Sequence, residues 1–101
     1  MFEVRRTAAF LNWLTDLKDI QGRARIAKRL DRLADGNFGD TKPVGGGVSE
    51  LRFAFGPGYR VYYVQRGQLI IVLLCGGDKH SQQRDIERAI AMAKEIGARE
   101  I

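Results

Sequence analysis

The sequence predicts a single α+β domain with elements in the order β-α-α-β-β-β-α, and three observations carry that class. Apolar residues recur at helical spacing in the first third of the chain and again near its end. Between them lie short β-rich runs punctuated by glycine turns. The chain is 101 residues long, room for one modest core and not for two.

Residues 2–6 read as a short strand, and Thr7 is placed to cap the next helix by accepting a hydrogen bond from a free amide of its first turn. Phe10, Trp13, Leu14 and Leu17 then fall on one apolar stripe, which predicts a helix ending near Lys18. Asp19 is the expected cap of a second helix, in which Ile26, Leu30 and Leu33 point inward while Arg25, Lys28, Arg29 and Arg32 follow the same spacing on another face. That basic stripe reads equally well as a solvated helix face or as a track for an anion.

Residues 35–48 hold Asn37, Pro43 and the triplet Gly45-Gly46-Gly47 and are expected to form a loop. The triplet is not read as a phosphate cradle, because no Lys-Ser or Lys-Thr follows it and the next segment is strand-like. Residues 50–55, 59–65 and 68–75 form an expected antiparallel meander, joined by Gly56-Pro57-Gly58 and by Arg66-Gly67. Ser81 is the expected cap of a last helix whose stripe Ile86, Ala89, Ile90 and Ala93 packs back on the sheet, and the tail from Gly97 is expected to fray.

Composition narrows the partners. Lys plus Arg is 17 against 12 for Asp plus Glu, a formal charge of +5, which favours an anionic partner, nucleic acid before an acidic protein. A single cysteine, Cys75, excludes an intramolecular disulfide and fits a reducing, cytoplasmic setting. The apolar run around it is too short to span a membrane, and the N-terminus lacks a cationic stretch followed by an apolar core. The lone histidine, His80, has no second Cys or His beside it, so no metal site is expected.

Alternation along the hairpin sorts its side chains. If Phe55 sits opposite Tyr59, then Leu51, Phe53, Phe55, Tyr59, Val61 and Tyr63 share an apolar face turned to the helices. The other face carries Arg52, Ala54, Arg60 and Tyr62, with Arg52 opposite Tyr62 and with Ile71 and Leu73 of the third strand as an apolar floor. Guanidinium groups in such a setting hold phosphate oxygens through paired, charge-assisted hydrogen bonds, unless they are spent on surface ion pairs with Glu50 or Asp85. Lys79 and His80 follow the third strand and join the same edge, where His80 is suited to proton transfer near neutral pH. Arg60, Arg52, Lys79 and His80 are therefore the candidate catalytic residues, with Tyr62, Lys42 and Arg84 as candidate RNA contacts.

With these residues in place, the chain resembles the RelE/ParE superfamily of bacterial toxins, and within it the HigB-like addiction-module killer proteins. The resemblance runs nearly end to end. It rests on Phe10-Leu11-Asn12-Trp13-Leu14, on Gly36-Asn37-Phe38-Gly39-Asp40, on the hairpin from Glu50-Leu51-Arg52 through Gly56-Pro57-Gly58-Tyr59-Arg60-Val61-Tyr62, and on Gly76-Gly77-Asp78-Lys79 with Gln83 and Asp85-Ile86.

The resemblance implies a RelE-like, microbial-ribonuclease-like fold and the toxin half of a type II toxin–antitoxin pair. It further implies a metal-independent, cofactor-free endoribonuclease that cuts mRNA, commonly on the ribosome, and is held in check by a cognate antitoxin protein. Arg60 matches the family's phosphate-stabilising arginine, and Arg52 would orient the RNA or share that charge. The sequence departs from the best-known mRNA-cleaving members where Leu51 and Phe53 replace paired lysines and where Ile86 stands near a late tyrosine. Lys79 or His80 is then the expected acid, Asp85 a weak candidate base, and a non-nucleolytic toxin that inhibits DNA gyrase, or an inactive binding domain, are the alternatives.

Overall fold

The computed structural model describes residues 1–99. In chain order the elements are β1 (Glu3–Arg6), α1 (Ala8–Asp16), α2 (Ile20–Ala34), β2 (Thr41–Gly45), β3 (Val48–Arg52), β4 (Arg60–Arg66), β5 (Ile70–Gly77) and α3 (Gln82–Arg99). The strands make one five-stranded sheet in the order β1-β5-β4-β3-β2. β1 runs parallel to β5, with Glu3 against Ile70, and the other pairings are antiparallel. This is the expected α+β class with two revisions: the sheet is mixed, and it holds one strand more.

The added strand is β2, inside the stretch expected to be a loop. Thr41 pairs with Leu51 and Lys42 with Glu50, with an irregularity between Pro43 and Gly45. A glycine- and proline-rich run lacks the β propensity that marks a strand, yet the free edge of β3 supplies its hydrogen-bond partners. Proline is tolerated because β2 is itself an edge.

Two helices cover one sheet face and α3 covers the other. Phe10 of α1 and Ile26, Leu30 and Leu33 of α2 pack with Leu51, Phe53, Tyr59, Val61 and Tyr63 and with Ile71 and Leu73 of β5. On the opposite face Ala89 and Ala93 of α3 pack on Val48, Tyr62, Val64, Val72, Leu74 and Cys75. Ile71 and Leu73 thus belong to the α1–α2 side rather than flooring Arg60, because an irregularity between Tyr62 and Tyr63 shifts the β4–β5 register. Burial pushes the Cys75 thiol up to about 11, as expected for an inert core thiol.

Two of the three expected caps form, Thr7 accepting from the Phe10 amide at 3.1 Å and Asp19 from the Gly22 amide at 2.9 Å, whereas the Ser81 hydroxyl accepts from the Asp78 amide at 3.2 Å and donates to the Asp85 carboxylate. α1 closes at Asp16, and α3 continues through Arg99, so residues 97–99 are helical; residues 100–101 lie outside the described part of the expected frayed tail. Where β5 ends, Gly76 and Gly77 are squeezed from both sides. A Cβ on Gly76 would lie 2.3 Å from the Trp13 ring, and one on Gly77 would lie 1.8 Å from an Asp85 oxygen. Among the described residues no helix is long and apolar enough to cross a membrane.

Candidate functional site

The hairpin between β3 and β4 builds the site. Its faces are those the alternation predicts, but its register differs by two residues: Arg52 stands opposite Arg60, Glu50 opposite Tyr62, and the Phe53 amide donates to the Tyr59 carbonyl at 3.1 Å. The turn therefore takes in residues 54–58, wider than the three-residue turn assumed from the glycines. A shift of two preserves which face each side chain occupies, because strand side chains alternate with period two.

Beyond the turn the chain returns through β5 into the 78–80 loop. The two loops are joined where the Lys79 amide donates to the Pro57 carbonyl at 3.4 Å. The Asp78 carboxylate orders the second loop by accepting from the amides of His80, at 2.9 Å, and Ser81, at 3.2 Å. Together they enclose a cleft of about 430 Å³ lined by Phe53, Ala54, Gly56, Pro57, Gly58, Arg60, Lys79 and His80. Three cationic or titratable side chains expected to act together therefore meet in one opening.

Arg60 is half-buried. One guanidinium nitrogen donates to the carbonyls of Gly58 and Tyr59, both at 3.1 Å, while its Nε is buried without a partner. No carboxylate pairs with it among the described residues. A guanidinium anchored at one end by neutral carbonyls keeps its full charge and its remaining donors for an anion. Arg52 stands beside the cleft and is paired with Asp40 at 3.1 Å rather than with Glu50 or Asp85. That pair is exposed on both sides, so an incoming phosphate competes with it at small cost.

Tyr62, expected to meet RNA, is corrected by its burial. It is 0 % exposed beneath α3, and its hydroxyl has no hydrogen-bond partner. Desolvation first, then the negative charges of Glu50 and Asp85, raise it well above the ordinary phenol value. Lys42 is exposed on the edge strand β2 and Arg84 is exposed on α3; neither lines the cleft. Asp85 is buried, accepts from the Ser81 hydroxyl and lies 3.9 Å from Arg84. The α2 stripe is divided too: Arg29 donates to the carbonyls of Arg52, Phe38 and Asp40 and lies over Phe53, so it is structural. Arg25 lies over Phe55, whereas Lys28 and Arg32 remain exposed.

Three residues near the cleft had drawn no functional assignment from the sequence: Asp40, which holds Arg52; Glu50, 1 % exposed on the face of Arg52 and Arg60; and Gln82, whose amide donates to both Glu50 oxygens at 3.1 and 3.2 Å. Alternation alone places Glu50 on that face, but its burial follows from α3 and is not visible locally. Among the described residues no group of three or more His, Cys, Asp or Glu side chains is arranged to hold a metal ion.

An uncharacterized protein from Haemophilus influenzae is 44% identical over 95 residues, covering 94% of this chain and 96% of the relative. The model of the phage-derived Gp49-like protein family (DUF891) matches residues 12–96, from the middle of α1 almost to the end of α3, and takes in the whole cleft. The chain belongs to the Gp49-like family.

Proposed function

We propose that this protein is the RelE/ParE-like, HigB-type toxin of a type II toxin–antitoxin pair and that it acts as a metal-independent mRNA endoribonuclease. The observation that carries this reading is one shared cleft in which Arg60, in no ion pair with a carboxylate among the described residues, meets Lys79 and His80. In such a cleavage the ribose 2′-oxygen attacks the adjacent phosphorus. Arg60 and Lys79 stabilise the added negative charge and His80 protonates the departing 5′ oxygen. The open, polar cleft suits a single RNA strand, whose unstacked bases are free to splay, and on this reading the strand is mRNA in the ribosomal decoding site. The protein acts in the cytoplasm, where that substrate lies.

The partner in this reading is an antitoxin with an acidic, partly disordered segment that covers the basic hairpin, since opposite charge speeds encounter and ordering on the surface blocks the site. The decisive experiment is induced expression of the wild type and Arg60→Ala, scoring growth arrest together with new mRNA ends mapped by primer extension. Wild-type arrest with new ends, both lost in the variant, is the expected result; ends that persist in the variant refute the role of Arg60.

A second reading, a toxin that inhibits DNA gyrase without cutting RNA, is favoured by one observation. Leu51 and Phe53, which stand where other members carry paired lysines, are 0 % and 3 % exposed in the core, so this fold replaces those cations with packing. Inhibited supercoiling with intact mRNA would select it.

A further inference from the structure

The reaction above lacks a proton acceptor, and the residue placed to supply one is a buried carboxylate outside the cleft lining. Glu50 lies two positions before Arg52 on β3, opposite Tyr62 and therefore diagonal to Arg60 on the same sheet face. It is 1 % exposed, yet no ion pair reaches it among the described residues; its hydrogen bonds come from the Gln82 amide, which spans both oxygens. Buried carboxylates are ordinarily held by ion pairs, whereas this one is held by hydrogen bonds from a neutral amide. Part of its cover is the side chain of Gln82, at the first position of α3 and two residues after His80.

Asp85, the alternative base, is not comparable. It is engaged by the Ser81 hydroxyl at the end of β5, against Gly77, and serves the start of α3. Lys79 is a cation and His80 is needed as the acid. Glu50 is the carboxylate that β3 itself places on the Arg60 face.

We propose that Glu50 is the catalytic base of the cleavage assigned above, and that rotation of the Gln82 side chain uncovers it to the ribose. The proposal rests on that endonuclease reading. In the step, the Glu50 carboxylate takes the 2′-hydroxyl proton as the 2′-oxygen bonds to phosphorus. The bond from phosphorus to the 5′ oxygen breaks, and that oxygen takes a proton from the His80 imidazolium. The products are a 2′,3′-cyclic phosphate and a 5′-hydroxyl. Glu50 is left protonated and His80 neutral, and exchange with water restores both.

The test is single-turnover cleavage of an mRNA on ribosomes by the wild type, Glu50→Gln and Glu50→Asp across pH, with folding checked by circular dichroism. The charged and titratable groups around Glu50 are Lys42 on β2, Arg52 on β3, Arg60 and Tyr62 on β4, Cys75 beyond them on β5 and Asp85 on α3, and all are unchanged in these variants. Glu50→Gln keeps a hydrogen-bonding partner for Gln82 and is expected to lose about 100-fold or more in rate with little change in KM, together with the acidic limb of the pH–rate profile. Glu50→Asp is expected to be slower than wild type while retaining that limb. A Glu50→Gln enzyme within about threefold of wild type and with the same pH profile overturns the proposal while leaving the endonuclease reading intact. If Glu50→Gln does not fold, a Glu50→Asp enzyme as fast as wild type overturns it instead. A wild type that cuts no RNA overturns both.

Discussion

Arg52 and Arg60 face each other directly across the β3–β4 ladder, two cations at a spacing where like charges repel. Each is relieved differently: Arg52 by the Asp40 carboxylate, Arg60 by the carbonyls of Gly58 and Tyr59. The arrangement divides labour, because only Arg52 is neutralised by an anion before substrate arrives. Arg60→Ala is expected to reduce cleavage by about 10²–10³-fold, the loss typical of one donor to a developing charge, and Arg52→Ala by less. Salt titration of RNA binding supplies the check: removing one phosphate contact lowers the slope of log K against log salt by about 0.7 for a single strand. Equal losses in both variants would contradict the division.

Tyr62 tests the depth of the site. Its hydroxyl is buried without a partner and faces the charges of Glu50 and Asp85, so removing the oxygen relieves desolvation and breaks no hydrogen bond. Tyr62→Phe is expected to leave stability unchanged or raise it by about 1 kcal/mol in urea melts, with RNA binding unaffected. A weakened affinity for RNA would mean that α3 moves aside and exposes the ring.

Gly76 sets how closely α1 approaches β5. A methyl group there would lie 2.3 Å from the rigid indole of Trp13, so α1 must retreat or the ring must leave its rotamer. Gly76→Ala is expected to cost about 1–3 kcal/mol, read as a lowered denaturation midpoint. An unchanged midpoint would show that α1 is free to shift.

The Tyr59 hydroxyl donates to Asp19 at 2.9 Å, tying the residue beside Arg60 to the cap of α2. The Gly22 amide first, then this hydroxyl, hold the Asp19 carboxyl below its ordinary 3.8. Burial, then the bond to Asp19, raise the Tyr59 phenol above its ordinary 10.0. A depressed acid stabilises the fold above its unfolded value and loses that contribution as pH falls through the folded one; a raised phenol does so below its unfolded value and loses it as pH rises through the folded one. Tyr59→Phe is therefore expected to lower the melting temperature by about 4–8 °C near neutrality, the shift for roughly one hydrogen bond in a domain of this size. The difference from wild type is expected to close above pH 10, and that for Asp19→Asn to close below pH 3.8. A gap that stays constant with pH would break the assignment.

What could be read without the structure follows how local each determinant is. Thr7 and Asp19 cap their helices through amides three residues on, and the alternation in β3 and β4 is a property of each strand alone, so these were legible. β2 was not, because its pairing comes from the edge of β3 and its own residues, Pro43 and Gly45 among them, argue against it. The hairpin register depended on turn width, which Gly56 and Gly58 leave open. Arg60, Lys79 and His80 were brought together as expected, since a loop after β5 must pass the β3–β4 turn. The burial of Tyr62 and Glu50 was hidden because it is imposed by α3, whose seat on the sheet is a tertiary fact.

β1 pairs with β5 alone, and the Thr7 hydroxyl reaches the Leu74 carbonyl at 2.6 Å. Contacts so distant along the chain must absorb their loop-closure entropy before they repay it. During synthesis β1 emerges before β5 and is thus obliged to wait for it. The sheet edge that seats α1, and with it Trp13 against Gly76 at the root of the 78–80 loop, closes only when β5 has been made. A nascent chain of this design carries its basic hairpin in an unfinished frame until synthesis has passed the strand that completes it.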